Sequence, residues 1–411
     1  MTWAARLLSA LAAGTAAILI APAAQAQRAD EDEPISELPR PGYEPRNLRI
    51  GTAILSPEAE FGATYDDNIF ATATAADDDV VFRLAPRARL TQQTPHLNLR
   101  MDAYASILRY AENGSEDTES YGISSSAQYR RDVHTLSGTF RYDRSFERRT
   151  DPEADFNLAR PPSEIDLASA ELRYAYRPGR FGVQLSAGAD KANYLPQVDA
   201  DRDQTSYRGA VRAFIEVSGG MDAFVEGFAT KRDARTPVDR NGVDRDASTY
   251  GGNVGVQLDI ADRVKGDIGL GVFRAEYQDP TITDRTGFSA SGRIVWRPRV
   301  RTAITGQVFS GDVATIRGGA SSRTDTSASL RVDQEVRHNL LMHAQLGVLD
   351  TKYRGLNGRN MTTLSGGVGA EYLINRSLSV KVDASYMDRS ANQVTDEFNK
   401  FRLGVALRVR Y

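Results

Sequence analysis

The sequence predicts an all-β protein, a transmembrane antiparallel up-and-down β-barrel of about 18 strands. Three observations support this fold. An export signal opens the chain, segments that alternate apolar and polar residues fill the remainder, and the connections between these segments alternate between short and long. No run of about 18 apolar residues follows the export signal, which excludes a protein that crosses a membrane with helices.

The first 26 residues have the three parts of a signal peptide. Residues 1–6 form a short basic region, residues 7–20 form an apolar region, and Ala24 and Ala26 are the small residues of an A-x-A cleavage site. A retained membrane anchor is the alternative, but the polar stretch after Ala26 favours cleavage. We therefore divide the chain into a cleaved signal peptide (1–26), a flexible, proline-containing periplasmic leader (27–50) and an outer-membrane β-barrel (51–411).

Composition narrows the class of protein. The chain has 411 residues and a net charge of -3, so no basic excess points to a nucleic-acid partner. It contains no cysteine, which suits an oxidising compartment and excludes a lipidated cysteine at the mature N-terminus. These features and the export signal predict a secreted protein, and the barrel pattern described next predicts the outer membrane of a Gram-negative cell as its location.

Period-two alternation predicts the strands. In the last segment, Phe401, Leu403 and Val405 share one face, while Arg402, Gly404 and Ala406 share the other. An even number of strands places both ends of the barrel on the same side. The predicted strands lie near 53–65, 80–93, 97–111, 118–130, 134–147, 164–177, 181–194, 204–217, 221–231, 247–260, 264–278, 286–297, 302–311, 321–335, 340–353, 360–374, 377–388 and 396–411.

The connections predict the topology. Tight turns near 94–96, 131–133, 178–180, 218–220, 261–263, 298–300, 337–339 and 375–376 alternate with longer loops such as 149–163, 195–203, 232–246, 279–285 and 354–359. Short periplasmic turns and longer extracellular loops are typical of outer-membrane barrels. A two-sheet sandwich gives no reason for this alternation.

Aromatic residues near the strand ends predict two interfacial belts. β-propensity alone is the alternative explanation, since tyrosine is common in strands. The belt at the short-turn end comprises Tyr129, Tyr174, Tyr176, Trp296 and Tyr411, and the belt at the long-loop end comprises Tyr65, Tyr110, Tyr142, Tyr194, Tyr250, Tyr277, Tyr353 and Tyr386.

The final strand resembles the C-terminal signal that the barrel-assembly machinery recognises. That signal has a polar residue, a glycine two positions later and apolar residues that alternate toward a terminal aromatic. The matching positions here are Arg402, Gly404, Leu407, Val409 and Tyr411. The resemblance implies that this machinery is a partner during assembly, with lipid and lipopolysaccharide around the finished barrel.

Charged residues lie opposite the apolar rows and are expected to face the lumen. A basic residue on the lipid face would cost about 2–4 kcal/mol near the membrane midplane. Such charges could form a wet channel that favours anionic or polyhydroxylated solutes, or they could be arginine–carboxylate pairs that brace the wall. The lumen candidates are Arg83, Arg87, Arg89, Arg100, Asp102, Arg208, Arg212, Arg293, Arg331, Asp333, Arg402 and Arg408.

A catalytic or metal site is not expected. The four histidines are dispersed, with His96, His134 and His338 near turns and His343 isolated, and no nucleophile motif is visible. We predict no catalytic residues, no metal and no cofactor. The aspartates at 77–79 and at 199, 201 and 203 could bind calcium, but they lack the glycine and glutamate of a calcium loop and are expected to be solvated loop tips.

Residues 65–70 (YDDNIF), followed by Leu84-Ala85-Pro86-Arg87, resemble the putative β-barrel porin 2 family of outer-membrane proteins. That family is often encoded with exopolysaccharide and capsule systems. The resemblance is sharpest over about residues 50–95, and it implies an outer-membrane location and a transport role.

Three functions follow from these observations, all of them non-enzymatic. The first is a channel or export component for a surface polysaccharide, with periplasmic polysaccharide-export proteins as partners. The second is a diffusion porin for small polar or anionic solutes, although the longest predicted loops, 149–163 and 232–246, are shorter than the constricting loop usual in porins. The third is a structural or adhesive barrel that binds through its outer loops.

Overall fold

A closed antiparallel β-barrel accounts for nearly all of the computed structural model, which describes residues 35–154, 160–239, 241–315, 317, 319–355 and 358–411. The wall has 18 strands, β2 to β19, and each pairs with its neighbours in sequence. The ring is closed by β19 and β2, in register from Arg402 opposite Asp66 to Arg410 opposite Glu58. The prediction of an 18-stranded antiparallel barrel is therefore confirmed.

The strands run as follows: β1 Leu48–Ile50, β2 Ala53–Asp66, β3 Asp79–Gln93, β4 Leu97–Tyr110, β5 Thr118–Arg131, β6 His134–Phe146, β7 Glu164–Tyr176, β8 Phe181–Tyr194, β9 Gln204–Ser218, β10 Met221–Ala234, β11 Ala247–Ile260, β12 Val264–Tyr277, β13 Arg285–Arg299, β14 Thr302–Val313, β15 Ala320–Arg337, β16 Leu340–Gly355, β17 Asn360–Leu373, β18 Leu378–Ala391 and β19 Phe398–Arg410. Short 3-10 turns lie at Ile35–Glu37, Gly114–Glu116, Gln197–Arg202 and Val394–Asp396. In the described part of the chain, no helix is long and apolar enough to cross a membrane.

The pleat of each strand separates an apolar outer face from a charged lumen face. On β9, Val211 is 54% exposed on the outer face, whereas the neighbouring Arg212 is 7% exposed and points inward. The same alternation along β19 leaves Leu403, Val405 and Leu407 exposed on the outside. Because a membrane surrounds the wall, this outer face is the surface that meets lipid.

The predicted aromatic belts are only partly present. At the short-turn end, Tyr129, Tyr174, Tyr176, Trp296 and Tyr411 are all exposed. At the other end, Tyr65 and Tyr250 are exposed, but Tyr194, Tyr277 and Tyr353 are buried inside the barrel. Their assignment to the outer belt was wrong because neighbouring strand positions face opposite sides, so nearness to a strand end does not establish the face.

Residues 35–50 contact the barrel closely, unlike the flexible leader predicted for 27–50. The backbone N–H of Asn47 donates to the carbonyl of Tyr411 over 2.9 Å. Strand β1, which the sequence did not predict, pairs with the start of β2. Residues 35–40 lie inside the barrel, as described below. The predicted signal peptide and its cleavage site at Ala24 and Ala26 lie outside the described residues.

An arginine on the outer face should destabilise the barrel. We expect Val211→Arg, in the middle of β9, to lower the free energy of unfolding from lipid vesicles by about 2–4 kcal/mol, because its charge enters hydrocarbon. The free energy is measured from urea-dependent folding. The control is Val394→Arg, at an exposed valine in an outer connection, where we expect little change. Equal losses in both variants would contradict the assigned lipid face.

Candidate functional site: the lumen of the barrel

Ion pairs cover much of the lumen wall. Arg212 donates from Nε to Glu226 over 2.7 Å and from Nη1 to Asp267 over 3.0 Å, and its guanidinium lies 3.9 Å from the ring centre of Phe224. Arg331 binds both carboxylate oxygens of Asp333. This pairing favours the second sequence interpretation, in which arginines brace the wall, over rings of uncompensated charge.

The remaining predicted lumen residues are also on the inner face. Arg83 lies 3.2 Å from Glu60, and Arg408 lies 3.5 Å from the same carboxylate and 3.3 Å from Glu371. Arg402 lies 3.5 Å from Asp66, Arg208 pairs with Asp190, and Arg293 lines the central cavity. The structure therefore distributes the predicted residues around the whole wall and does not gather them into one cluster.

One predicted group does form a cluster, near the periplasmic turns. Asp102 on β4 is bound by Arg87 over 2.6 Å, by Arg89 over 2.9 Å and by Arg100 over 3.0 Å. A second carboxylate, that of Glu37, lies 2.5 Å from Arg89 and 3.5 Å from Arg100. Glu37 comes from the segment before the barrel, so this segment must enter the lumen.

The same segment contacts the opposite wall. Ile35 is 3% exposed and packs with Val295 of β13, Ala303 of β14 and Leu341 of β16. Strands β4 and β13 lie nine places apart, which is half the circumference of the 18-stranded wall. Residues 35–40 therefore extend across the lumen at its periplasmic end.

Arg40 fixes the segment to that second wall. Its Nε donates to Glu335 over 3.0 Å, and its Nη1 donates to the carbonyls of Ser36 and Leu38. Arg301 also pairs with Glu335 and donates to the carbonyl of Pro39 over 2.9 Å. Burial lowers the pKa of the Arg40 guanidinium, and the adjacent Glu335 opposes this shift.

A central cavity of about 220 Å³ lies along β6–β14. Phe228 and Phe273 lie flat against the wall because Gly251 and Gly287 leave room for them; a Cβ at either glycine would come within 2.6 Å of the facing ring. Ion pairs such as Arg208–Asp190 border the space. Hydroxyls and amides also line it, from Gln184, Ser186, Thr230, Thr249, Asn253, Gln257, Ser289, Ser291, Gln307 and Ser310.

The outer end of the lumen is covered by an inward loop, residues 147–154, between β6 and β7. Glu153 in this loop is 6% exposed and accepts hydrogen bonds from Arg323 over 2.6 Å, from Tyr353 over 3.0 Å and from Thr315. Arg389 of β18 donates to the carbonyl of Thr150 over 2.6 Å. Strands β6 and β15 are nine places apart, so the loop reaches the opposite wall. The loop therefore constricts the lumen, although it is shorter than the constricting loop usual in porins.

The start of β15 also lies inside the outer mouth. Ser322, Arg323, Thr324 and Asp325 are successive residues, and all four are buried. Ser322 hydrogen-bonds to the hydroxyl of Tyr277 on β12, whereas Arg323 faces the inward loop. Both faces of this strand segment are therefore covered. We call residues 147–154 and 319–325 together the outer cap.

Several aspartates predicted to be solvated loop tips are instead buried, so that prediction was wrong for them. Asp79 is 4% exposed and accepts backbone N–H groups from residues 111–113, while Asp199 is 2% exposed and binds Arg160 and Ser163. Asp203 accepts the N–H of Tyr194 and pairs with Arg235. Asp79 and Asp203 satisfy backbone N–H groups of the loops, and Asp199 joins two loops through side chains.

One arginine of the outer loops stands out. Arg245 is 5% exposed, and its Nε and Nη2 have no hydrogen-bond partner within the described residues. Burial lowers the pKa of its guanidinium, although Asp239 and Asp201 oppose the shift. In the parts of the chain that the structure describes, no group of three potential metal ligands is present.

Breaking the central pair of the outer cap should loosen it. We expect Glu153→Gln to destabilise the inward loop by about 1–3 kcal/mol, because it removes the charge that strengthens the hydrogen bonds from Arg323 and Tyr353. The measurement is hydrogen–deuterium exchange of the peptide that contains residues 147–154, and exchange should accelerate. Asp233→Asn removes a carboxylate from an exposed pair with Lys231 and is the control. Unchanged exchange in Glu153→Gln would show that the pair does not hold the loop.

Comparison with known proteins identifies a family to which the sequence is similar. The family model described as Putative beta-barrel porin 2 matches residues 40–411, a range that contains every strand. No curated protein matches this sequence. Similar solved structures include the siderophore receptor PirA from Acinetobacter baumannii, at 9% identity over 86% of this chain and 80% of that chain with a TM-score of 0.43. They also include OpdK from Pseudomonas aeruginosa, at 12% identity over 87% and 99% with a TM-score of 0.43, and OccK2 (OpdF) from the same organism, at 13% over 87% and 98% with a TM-score of 0.44.

Proposed function

This chain belongs to the Putative beta-barrel porin 2 family, and on that premise we propose that it is an outer-membrane channel for small polyhydroxylated solutes. The central cavity is the observation that carries the proposal. Barrels of about 16–18 strands are wide enough to enclose a water-filled path. Here a chamber of about 220 Å³ lies along the lumen face of β6–β14.

The chamber lining matches the chemistry of a sugar. Side-chain amides of Gln184, Asn253 and Gln307 provide both donors and acceptors, as hydroxyl-rich solutes require. The half-buried ring of Phe228 provides a flat apolar surface for the C–H face of a pyranose. Sites that bind small molecules commonly combine a few fixed polar groups with aromatic walls.

Pairing of the charges favours a neutral solute over an anion. Arg208 faces Asp190, and Arg212 lies between Glu226 and Asp267, so each arginine has a carboxylate at close range. Selectivity for one sign of charge requires rings of one sign. The chamber instead offers closely spaced donors and acceptors with little net field.

Export of a surface polysaccharide is the second candidate, supported by the family's frequent association with exopolysaccharide and capsule systems. A saccharide chain uses the same chemistry as a free sugar, so the chamber lining suits it. Passage of a polymer would also require the outer cap to move out of the lumen. The proposed partners are then periplasmic export proteins, besides the surrounding lipid and lipopolysaccharide and the barrel-assembly machinery.

The chamber should recognise sugars through its aromatic wall. In planar bilayers we expect an open conductance that a soluble oligosaccharide blocks, and Phe228→Ala should weaken this block about fivefold, the equivalent of about 1 kcal/mol. Phe140→Ala is the matched control, because Phe140 is exposed on the lipid face. A silent protein, or equal block in both variants, would overturn the proposal.

A gene deletion distinguishes the two candidates. If the protein exports a polymer, its loss should abolish surface polysaccharide, measured by extraction and sugar analysis of the cell surface. If it serves small solutes, surface polysaccharide should be unchanged while uptake of test sugars into cells falls. Restoring the gene with Phe228→Ala and with Phe140→Ala links either phenotype to the chamber.

A further inference from the structure

The segment of residues 35–40 crosses the lumen beside the periplasmic turns, and we propose that it is a tethered plug that controls both the opening and the charge of the periplasmic mouth. We call it the N-terminal plug. The proposal rests on the channel function above, and it adds a gate and a selectivity residue, Glu37, to that function.

Three side chains fix the plug to two walls. Ile35 fills an apolar site made by Val295, Ala303 and Leu341 on the inner face of β13, β14 and β16. Arg40 pairs with Glu335 on β15, which is 3% exposed at its side chain. Glu37 reaches the other side, where it pairs with Arg89 and Arg100 of β3 and β4.

These contacts allow the plug to leave without damage to the barrel. Its regular structure is a single 3-10 turn, Ile35–Glu37, and no described residue of the plug pairs with a wall strand. Side-chain contacts therefore hold it, while every wall strand keeps its backbone partners on both sides. The chain continues from the plug to β1, whose pairing with β2 anchors the tether outside the lumen.

Displacement of the plug changes the charge at the mouth. Among the residues that the structure describes, Arg87, Arg89 and Arg100 pair with two carboxylates, those of Asp102 and Glu37. Arg87 is 37% exposed at its side chain and Arg100 is 27% exposed, so this cluster is accessible from the lumen. Without Glu37, the three guanidinium groups keep one paired carboxylate among the described residues, that of Asp102, and the mouth becomes a site that attracts anions.

The first test measures selectivity of the full chain in planar bilayers under a gradient of KCl. We expect Glu37→Gln to shift the reversal potential toward that of chloride, because one carboxylate beside three arginines has become neutral. Glu44→Gln is the matched control, because it removes the same charge from an exposed position between the plug and β1. Equal reversal potentials in the two variants would overturn the role of Glu37.

The second test measures displacement without any current. Because the chain has no cysteine, Leu38→Cys introduces a single thiol next to the Ile35 contact. We expect slow reaction of this thiol with a soluble maleimide, and faster reaction when Arg40→Gln is added. Folding of each variant is checked by its heat-dependent mobility on a gel.

The two tests separate the plug from the channel function. Accelerated labelling with no current in any variant would retain the plug and reject the proposed channel. An open channel whose labelling rate is the same with and without Arg40→Gln would reject the plug. If Leu38→Cys fails to fold, single-channel recordings of Arg40→Gln decide, since release of the plug must raise conductance and an unchanged conductance counts against it.

Discussion

Closure of the sheet by β19 and β2 is the constraint on which the remaining structure depends. A membrane offers no hydrogen-bond partners, so an open sheet edge within it would leave a row of backbone groups unsatisfied. With the ring closed, each strand has one face toward lipid and one toward the lumen, and successive residues point alternately to the two faces. Val211 and Arg212 illustrate this division, since neighbouring residues of β9 have opposite environments.

The lumen then has to accommodate the charges that the outer face excludes. Partnered carboxylates lower the cost of the arginines. Arg212 of β9, for example, pairs with Glu226 of the neighbouring β10 and with Asp267 of β12. A single pair of this kind adds little net stability. Together these pairs orient long side chains along the wall and leave the centre to the plug, the chamber and the outer cap.

Much of the wall could be predicted from the sequence because alternation and turn length are local properties. The predicted strands 181–194, 247–260 and 360–374 agree with β8, β11 and β17 to within one residue. What fills the lumen could not be predicted in this way. The contacts of Glu153 with Arg323 and of Arg40 with Glu335 join distant parts of the chain, and no local pattern marks them.

The faces of residues near strand ends were also beyond local reasoning. Tyr194, Tyr277 and Tyr353 resemble interfacial tyrosines in position, yet they are buried because they occupy lumen-facing positions. Strand β1 has three residues, too few for an alternation of apolar and polar residues to be visible. The burial of Asp199 depends on its contacts with Arg160 and Ser163, which lie in another loop. The pairing of Glu37 does have one trace in the sequence. Glu37 is a carboxylate in the segment before the barrel, and the second long strand carries three arginines, Arg83, Arg87 and Arg89.

The separation of these lumen contacts along the chain has a consequence for the order of folding. Arg40 and Glu335 are 295 residues apart, and Glu153 and Arg323 are 170 apart. Contacts of such sequence separation form late, since the loop they close is costly until the intervening strands are in place. Closure of the ring joins residues still further apart, such as Phe401 and Asp67 at a separation of 334. The contacts that fill the lumen therefore belong to the same late stage of folding as the closure of the barrel.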